Sequence, residues 1–201
     1  MKFRVQSHII LMSIFATGPV LATNPFLDAK DDKPASAIFK GTEWNDENID
    51  GDIPLSARVV TTRIAKMSWG SIFKIEYADL KSKAAQKREI GPDYFIVTDD
   101  RIVELHEENN EEAAKKVAAM DKPPAFDEND ICGITTGHFK HQQTPWETKI
   151  DVKGDLCIFD SSHPSGHFRR IVWKKSVGLI QYDSGYGAAK DGYKLKRINS
   201  K

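Results

Sequence analysis

Short stretches in which apolar and polar residues alternate with a period of two recur along most of the chain. Within residues 72–77, Phe73, Ile75 and Tyr77 alternate with a lysine and a glutamate. This alternation is typical of a β-strand that buries one face. Residues 58–64 are rich in β-branched side chains, which also favour strands.

Turn-forming residues divide the rest of the chain into further short segments. Asp99-Asp100 separates residues 94–98 from 101–105 and predicts a tight hairpin. Links rich in glycine, proline, aspartate and serine separate six more predicted strands, at residues 133–138, 146–152, 156–159, 168–173, 177–182 and 193–198. The pattern predicts a mainly β fold, a single antiparallel meander that forms a barrel or a sandwich.

One short helix is predicted near residues 110–120. Asn109 or Asn110 can cap its N-terminus, and two glutamates occupy its first turn, where the helix dipole favours them. Each glutamate precedes a lysine by four residues, and Pro123-Pro124 ends the helix. Because the helix is short and polar, we expect it to lie on the surface.

The first 22 residues have the pattern of an export signal. Lys2 and Arg4 form a basic start, an apolar run follows at residues 9–15, and Val20-Leu21-Ala22 suits signal-peptidase cleavage. The apolar run is too short to span a bilayer, which requires about 20 residues. A buried N-terminal strand or helix is the alternative interpretation.

Cleavage after Ala22 would leave one domain's length of chain, with no membrane span. Residues 23–55 are polar and rich in helix and strand breakers, and we expect an irregular or partly disordered arm that Trp44 could dock onto the body. Residues 56–201 are expected to form the β-rich domain. The predicted location is the periplasm or the outside of the cell.

The charge balance excludes some partners. The chain has 29 basic and 29 acidic residues, and the predicted signal contains two of the basic ones and no acid. A near-neutral mature chain offers no electrostatic attraction for nucleic acid or for an anionic membrane.

In an exported chain the only two cysteines, Cys132 and Cys157, predict one disulfide.

Histidines are the first candidates for chemistry. His163 and His167 flank a Pro-Ser-Gly turn, which is either a chemical site or only a link between two strands. The histidine spacing argues against a metal site, and no cofactor is expected. A small secreted hydrolase is the alternative function, with acid–base chemistry by His138, His163, His167, Asp160 or Asp183. Because no catalytic motif is present, an enzyme is the less favoured interpretation.

Tyrosines are the candidates for binding. Tyr182, Tyr186 and Tyr193 surround a turn rich in glycine and serine, a composition that gives recognition surfaces contact area at low entropy cost. Closure of one end of a barrel is the alternative role. With His163 and His167, these tyrosines predict a binding site. We therefore expect an exported bacterial binding protein, whose partner is a protein that it inhibits or a cell-envelope ligand.

Overall fold

The structure, a computed structural model, consists of twelve strands and one helix in its described residues. These residues are 24–27, 33–45, 52–84, 89–105, 109–125, 131–133, 137–140, 145–187 and 191–198, with the backbone alone at 131–133 and 137–140. The strands are β1 (Ala35–Trp44), β2 (Ile53–Lys66), β3 (Ser71–Ser82), β4 (Asp93–Val97), β5 (Ile102–Glu104), β6 (Ile131–Gly133), β7 (Gly137–Lys140), β8 (Glu147–Lys153), β9 (Leu156–Ser162), β10 (His167–Lys174), β11 (Gly178–Tyr186) and β12 (Asp191–Arg197). Helix α1 (Asn110–Ala118) lies between β5 and β6.

All twelve strands belong to one antiparallel sheet, whose order follows the order of the chain. β1 pairs with both β2 and β12, the sheet continues on one side from β2 to β6, and on the other side from β12 back to β7. The sheet curls into a half-barrel, and no ladder joins β6 to β7 among the described residues. The prediction of a mainly β, antiparallel meander with one short helix is confirmed.

The two edges of the sheet lie close together because the chain connects them directly. Only residues 134–136 separate β6 from β7, so Gly133 and Gly137 lie within about 14 Å of each other. The single strand predicted at 133–138 is therefore wrong, since its residues are divided between strands at opposite edges. Local alternation cannot reveal such a crossing, because both short segments have the same strand pattern.

The structure of residues 35–44 contradicts the prediction that residues 23–55 form an irregular arm. They form β1, which lies inside the sheet, and Phe39 of this strand is almost wholly buried. Gly41 allows β1 to lie close to β12, because a Cβ atom at this residue would collide with the carbonyl oxygen of Lys194 on β12. The prediction of an irregular arm is thus wrong for β1, because long-range pairing outweighs the polar local composition.

The interior is packed with side chains from both halves of the curled sheet. Phe95 of β4 meets Trp173 of β10 edge to face, with ring centroids 5.3 Å apart. The largest fully buried side chains are Trp173, Phe26, Phe39, Phe95, Phe159, Ile72, Ile75, Ile96, Ile102, Ile150, Ile171 and Leu195. Each such side chain stabilises the fold by roughly 1.5–3 kcal/mol relative to its exposed state.

The strands are connected at two ends that differ in character. At the turn end, the connections are residues 67–70, 98–101, 154–155 and 175–177. At the opposite, loop end, the connections are residues 45–52, 83–92, 141–146, 163–166 and 187–190. The predicted hairpin at Asp99-Asp100 is found at the turn end, where the Thr98 N–H donates to the Arg101 carbonyl at 3.0 Å.

Residues 24–27 form a plug that seals the turn end. Phe26 is 1% exposed and belongs to the core. The Asn24 side-chain amide donates to the Thr98 carbonyl at 3.0 Å, and the Ser176 N–H donates to the Pro25 carbonyl at 2.8 Å. The plug is thus bonded to two different turns, which fixes Phe26 between them.

Helix α1 matches its prediction in position and in capping. The Asn109 side chain accepts a hydrogen bond from the Glu112 N–H at 3.1 Å. Lys115 and Glu111 form an ion pair at 2.8 Å on the exposed side of the helix, and Ala114 and Val117 are buried. Among the described residues, no helix is both long enough and apolar enough to cross a membrane.

Candidate functional site

Four aromatic side chains meet at the loop end and form what we call the aromatic cluster: Trp146, His163, His167 and Tyr186. His167 and Tyr186 are paired across β10 and β11, and their rings stack at 3.9 Å with an angle of 7°. The Trp146 ring lies 5.3 Å from His163 and 6.4 Å from His167, between centroids. The four residues come from strand ends and their flanking links, so the ladders of β8 to β11 hold the cluster in place.

The Pro-Ser-Gly segment is a tight turn that also fixes one histidine ring. Gly166 adopts a φ of 102°, which favours glycine, and its N–H donates to the His163 carbonyl at 2.9 Å. The Ser165 N–H donates to His163 Nδ1 at 3.1 Å, and Ser165 Oγ lies 2.6 Å from the same nitrogen. Because a backbone N–H can only donate, Nδ1 is the acceptor and the proton of the neutral ring resides on Nε2.

The predicted binding residues separate into two groups in the structure. His163, His167 and Tyr186 share the aromatic cluster at the loop end. Tyr182 instead is buried, and its ring stacks with that of Tyr193 at a centroid distance of 6.0 Å. The glycine-rich segment is also shorter than expected, since β11 continues through Tyr186 before the chain turns.

Buried charges lie between the two halves of the sheet, in what we call the interior polar network. The Tyr77 hydroxyl donates to Asp93 Oδ2 at 2.7 Å. The Tyr182 hydroxyl donates to Glu104 Oε1 at 3.3 Å, and Arg169 Nη1 lies 2.8 Å from Glu104 Oε2. These five residues come from β3, β4, β5, β10 and β11, so the curl of the sheet brings them together.

Burial in this network changes the acidity of its members. Desolvation, and then repulsion from the Glu104 carboxylate, raise the pKa of Asp93 to about 8. The Tyr77 hydrogen bond and the Arg169 charge act in the opposite direction and are weaker. Burial likewise raises the pKa values of Tyr77 and Tyr182 well above their ordinary range. Asp93 is therefore largely protonated at neutral pH, and the network holds fewer negative charges than its composition suggests.

An open pocket of about 600 Å³ adjoins the network at the loop end. Tyr77, Leu80, Ser82 and Ile90 contribute to its walls. The Ser82 hydroxyl donates to the buried carboxylate of Glu43 on β1. The pocket therefore has mixed polar and apolar walls, and Tyr77 joins it to the network.

The four described residues of the hydrolase alternative form no hydrogen bond between a histidine and a carboxylate. Asp160 accepts two hydrogen bonds from Arg170 at 2.7 and 3.0 Å, and Asp183 accepts one from Gln181 at 2.6 Å. Among the described residues, neither His163 nor His167 bonds to a carboxylate. The side chain of the third candidate, His138, lies outside the described atoms. The geometry thus gives no support to acid–base catalysis by the four candidates whose side chains are described.

The described residues also contain no group of three or more histidine, cysteine, aspartate or glutamate side chains arranged to hold a metal ion. Cys157 on β9 is fully buried, and Cys132 lies on β6, a strand that contacts β9. The side chain of Cys132 lies outside the described atoms, so the distance between the two sulfur atoms is not described. The disulfide stays a prediction.

A second aromatic pair lies against two glycines. Trp44 and Phe168 stack at 6.2 Å with an angle of 4°, although β12 and β11 lie between their strands. Gly192 and Gly185 occupy those two strands, and a Cβ atom at Gly192 would collide with the Trp44 ring. The glycines therefore make room for the rings, and Trp44 is fixed on the sheet by this stacking.

Trp146 and four members of the interior polar network were not predicted as functional candidates from the sequence. The structure places Trp146 in the aromatic cluster, beside His163 and His167. Glu104 carried a usable signal, because a carboxylate within the apolar run 102–105 must find a partner when the strand is buried. Nothing in the local sequence identifies that partner as Arg169, which lies 65 residues further along the chain.

Comparison with known proteins gives no family assignment. No protein-family model matches the chain, and no curated protein is significantly similar to it. The class of the protein is therefore defined by its fold: it is mainly β, and its described residues form one curled antiparallel sheet and one short helix.

Proposed function

We propose that the protein is exported, loses residues 1–22, and acts as a binding protein that holds its partner at the loop end. The observation that carries this proposal is the aromatic cluster of Trp146, His163, His167 and Tyr186. Aromatic side chains on a rigid scaffold supply large contact areas with little loss of conformational entropy. The sheet ladders on both sides of the cluster provide that rigidity.

The contrast between the ends supports the choice of the loop end. The plug at the turn end fills the interior and bonds to neighbouring turns, so that end serves stability. At the loop end, all four rings of the cluster are at least partly exposed to solvent. Partly exposed aromatic groups beside longer connections are typical of binding sites at the mouths of β-folds.

The proposed partner is a component of the cell envelope or a protein that resides there. Export rests on the sequence pattern of residues 1–22, and the near-neutral charge disfavours nucleic acid as the partner.

Mass spectrometry of protein recovered from a bacterial periplasm or medium tests export. The expected N-terminal residue is Thr23, and an intact Met1 would contradict the proposal.

Binding is tested with the recovered protein and a washed bacterial envelope fraction in a sedimentation assay. We expect the wild-type chain to sediment with the envelope, and Trp146→Ala to reduce the bound fraction at least about fivefold. Trp69→Ala is the matched control, because Trp69 is also partly exposed but lies at the turn end, where its indole bonds to the Met120 carbonyl. Equal loss in both variants, or in neither, would refute binding at the loop end.

A further inference from the structure

The aromatic cluster presents polar edges as well as ring faces. The Trp146 indole N–H, the Tyr186 hydroxyl and the ring nitrogens of His167 have no hydrogen-bond partner among the described residues. The His163 Nε2–H is a further donor, since Ser165 occupies Nδ1. A ligand on this surface must therefore offer both donors and acceptors around an apolar face.

One carboxylate lies beside the cluster. Asp191 is paired with Tyr186 across β11 and β12, so the two side chains project from the same face of the sheet. Asp191 is exposed, and an ionised carboxylate can only accept hydrogen bonds. The rim thus favours a ligand that offers hydrogen-bond donors.

We propose that the aromatic cluster is a binding site for a neutral saccharide, an inference that rests on the proposed function. A pyranose ring presents weakly positive C–H bonds that complement the negative face of an aromatic ring. Its hydroxyls both donate and accept, which matches the indole N–H, the imidazole nitrogens and the Asp191 carboxylate. A proline-rich peptide also packs on aromatic side chains, but proline offers no backbone donor for these acceptors.

The test is an NMR titration of the ¹⁵N-labelled full-length mature protein with three probes. These probes are the tetrasaccharide of N-acetylglucosamine, maltotetraose and decaproline. We expect at least one saccharide to shift the indole N–H signal of Trp146 while the signal of Trp69, at the turn end, stays unchanged. Tyr186→Ala should weaken saccharide binding at least about tenfold, and Tyr186→Phe less, because the ring face is retained.

The outcomes separate this inference from the function on which it rests. A shift of the Trp146 signal by decaproline alone would overturn the saccharide site and leave binding at the loop end intact. Absence of any shift, with wild-type sedimentation still dependent on Trp146, would likewise overturn the saccharide and retain the function. A saccharide that shifts Trp69 as strongly as Trp146 would overturn the assignment of the site. Unchanged melting temperatures of the Tyr186 variants would show that lost binding is not lost folding.

Discussion

At the turn end, connections of two to four residues join the strands and Phe26 fills the space between them. At the loop end, the connections are four to ten residues long, the interior contains the polar network, and the aromatic cluster lies at the rim. Both ends belong to the same ladders and share the same alternation. The difference shows that one regular sheet can have a sealed, apolar end and, at the other end of the same strands, a polar interior with partly exposed aromatic side chains.

Removal of the plug should have the largest effect. Phe26→Ala is expected to lower the free energy of unfolding by about 3–5 kcal/mol, because it leaves a cavity in a fully buried site. Urea denaturation followed by tryptophan fluorescence measures the change. Ile198→Ala is the control, since Ile198 is 40% exposed and should change stability by less than about 1 kcal/mol. Similar effects in the two variants would show that residues 24–27 do not seal the turn end.

Disruption of the interior polar network should cost nearly as much. Arg169→Met is expected to destabilise the fold by about 3 kcal/mol, because it leaves the buried Glu104 carboxylate without its cation. The double variant Arg169→Met with Glu104→Gln should recover part of that loss, as a double-mutant cycle in urea would measure. Strictly additive losses would contradict coupling between these two side chains.

Filling the space beneath the stacked rings should have a moderate effect. Gly192→Ala is expected to cost about 1–3 kcal/mol, because the new methyl group collides with Trp44 and with the β11 backbone. Gly91→Ala is the matched control, since a Cβ atom at Gly91 meets nothing within 4 Å. Thermal unfolding compares the two variants. If Gly91→Ala were the more harmful change, the proposed role of the glycine pair would be wrong.

The smallest effect concerns pH and distinguishes the polar interior from the apolar plug. The raised pKa of Asp93 in the folded state means that its stabilising contribution is complete below about pH 4. That contribution is lost as the pH rises towards about 8, because the unfolded state ionises first. The free energy of unfolding of Asp93→Asn, measured relative to that of wild type, should therefore increase by about 1 kcal/mol or more as the pH rises from about 5 to about 8. A constant difference across this range, measured by urea denaturation, would contradict the assignment.

Local pattern was sufficient for much of the architecture. The alternation at Phe73, Ile75 and Tyr77 predicted β3, and the capped, charge-paired segment after Asn109 predicted α1. The Pro-Ser-Gly turn and the hairpin at Asp99-Asp100 were also predictable. These features depend on neighbours within a few residues, so a linear sequence contains the information that determines them.

Part of the candidate site was also visible in the sequence. His163, His167 and Tyr186 were identified from their turn and their glycine-rich surroundings, and the structure brings these three together. Trp146 was not assigned to them, because it precedes a different strand. Tyr182 was predicted as a binding residue, whereas the structure buries it beside Tyr77 of β3.

The sequence by itself determined the class of fold, helix α1, the tight turns and three of the four residues of the aromatic cluster. Only the tertiary structure decided that β1 joins the sheet, that β6 and β7 occupy opposite edges, and that Asp93, Glu104 and Arg169 form one network. The physical reason is the range of the interactions. Strand alternation and turns are local, whereas the curl of a twelve-stranded sheet determines which distant side chains share the interior.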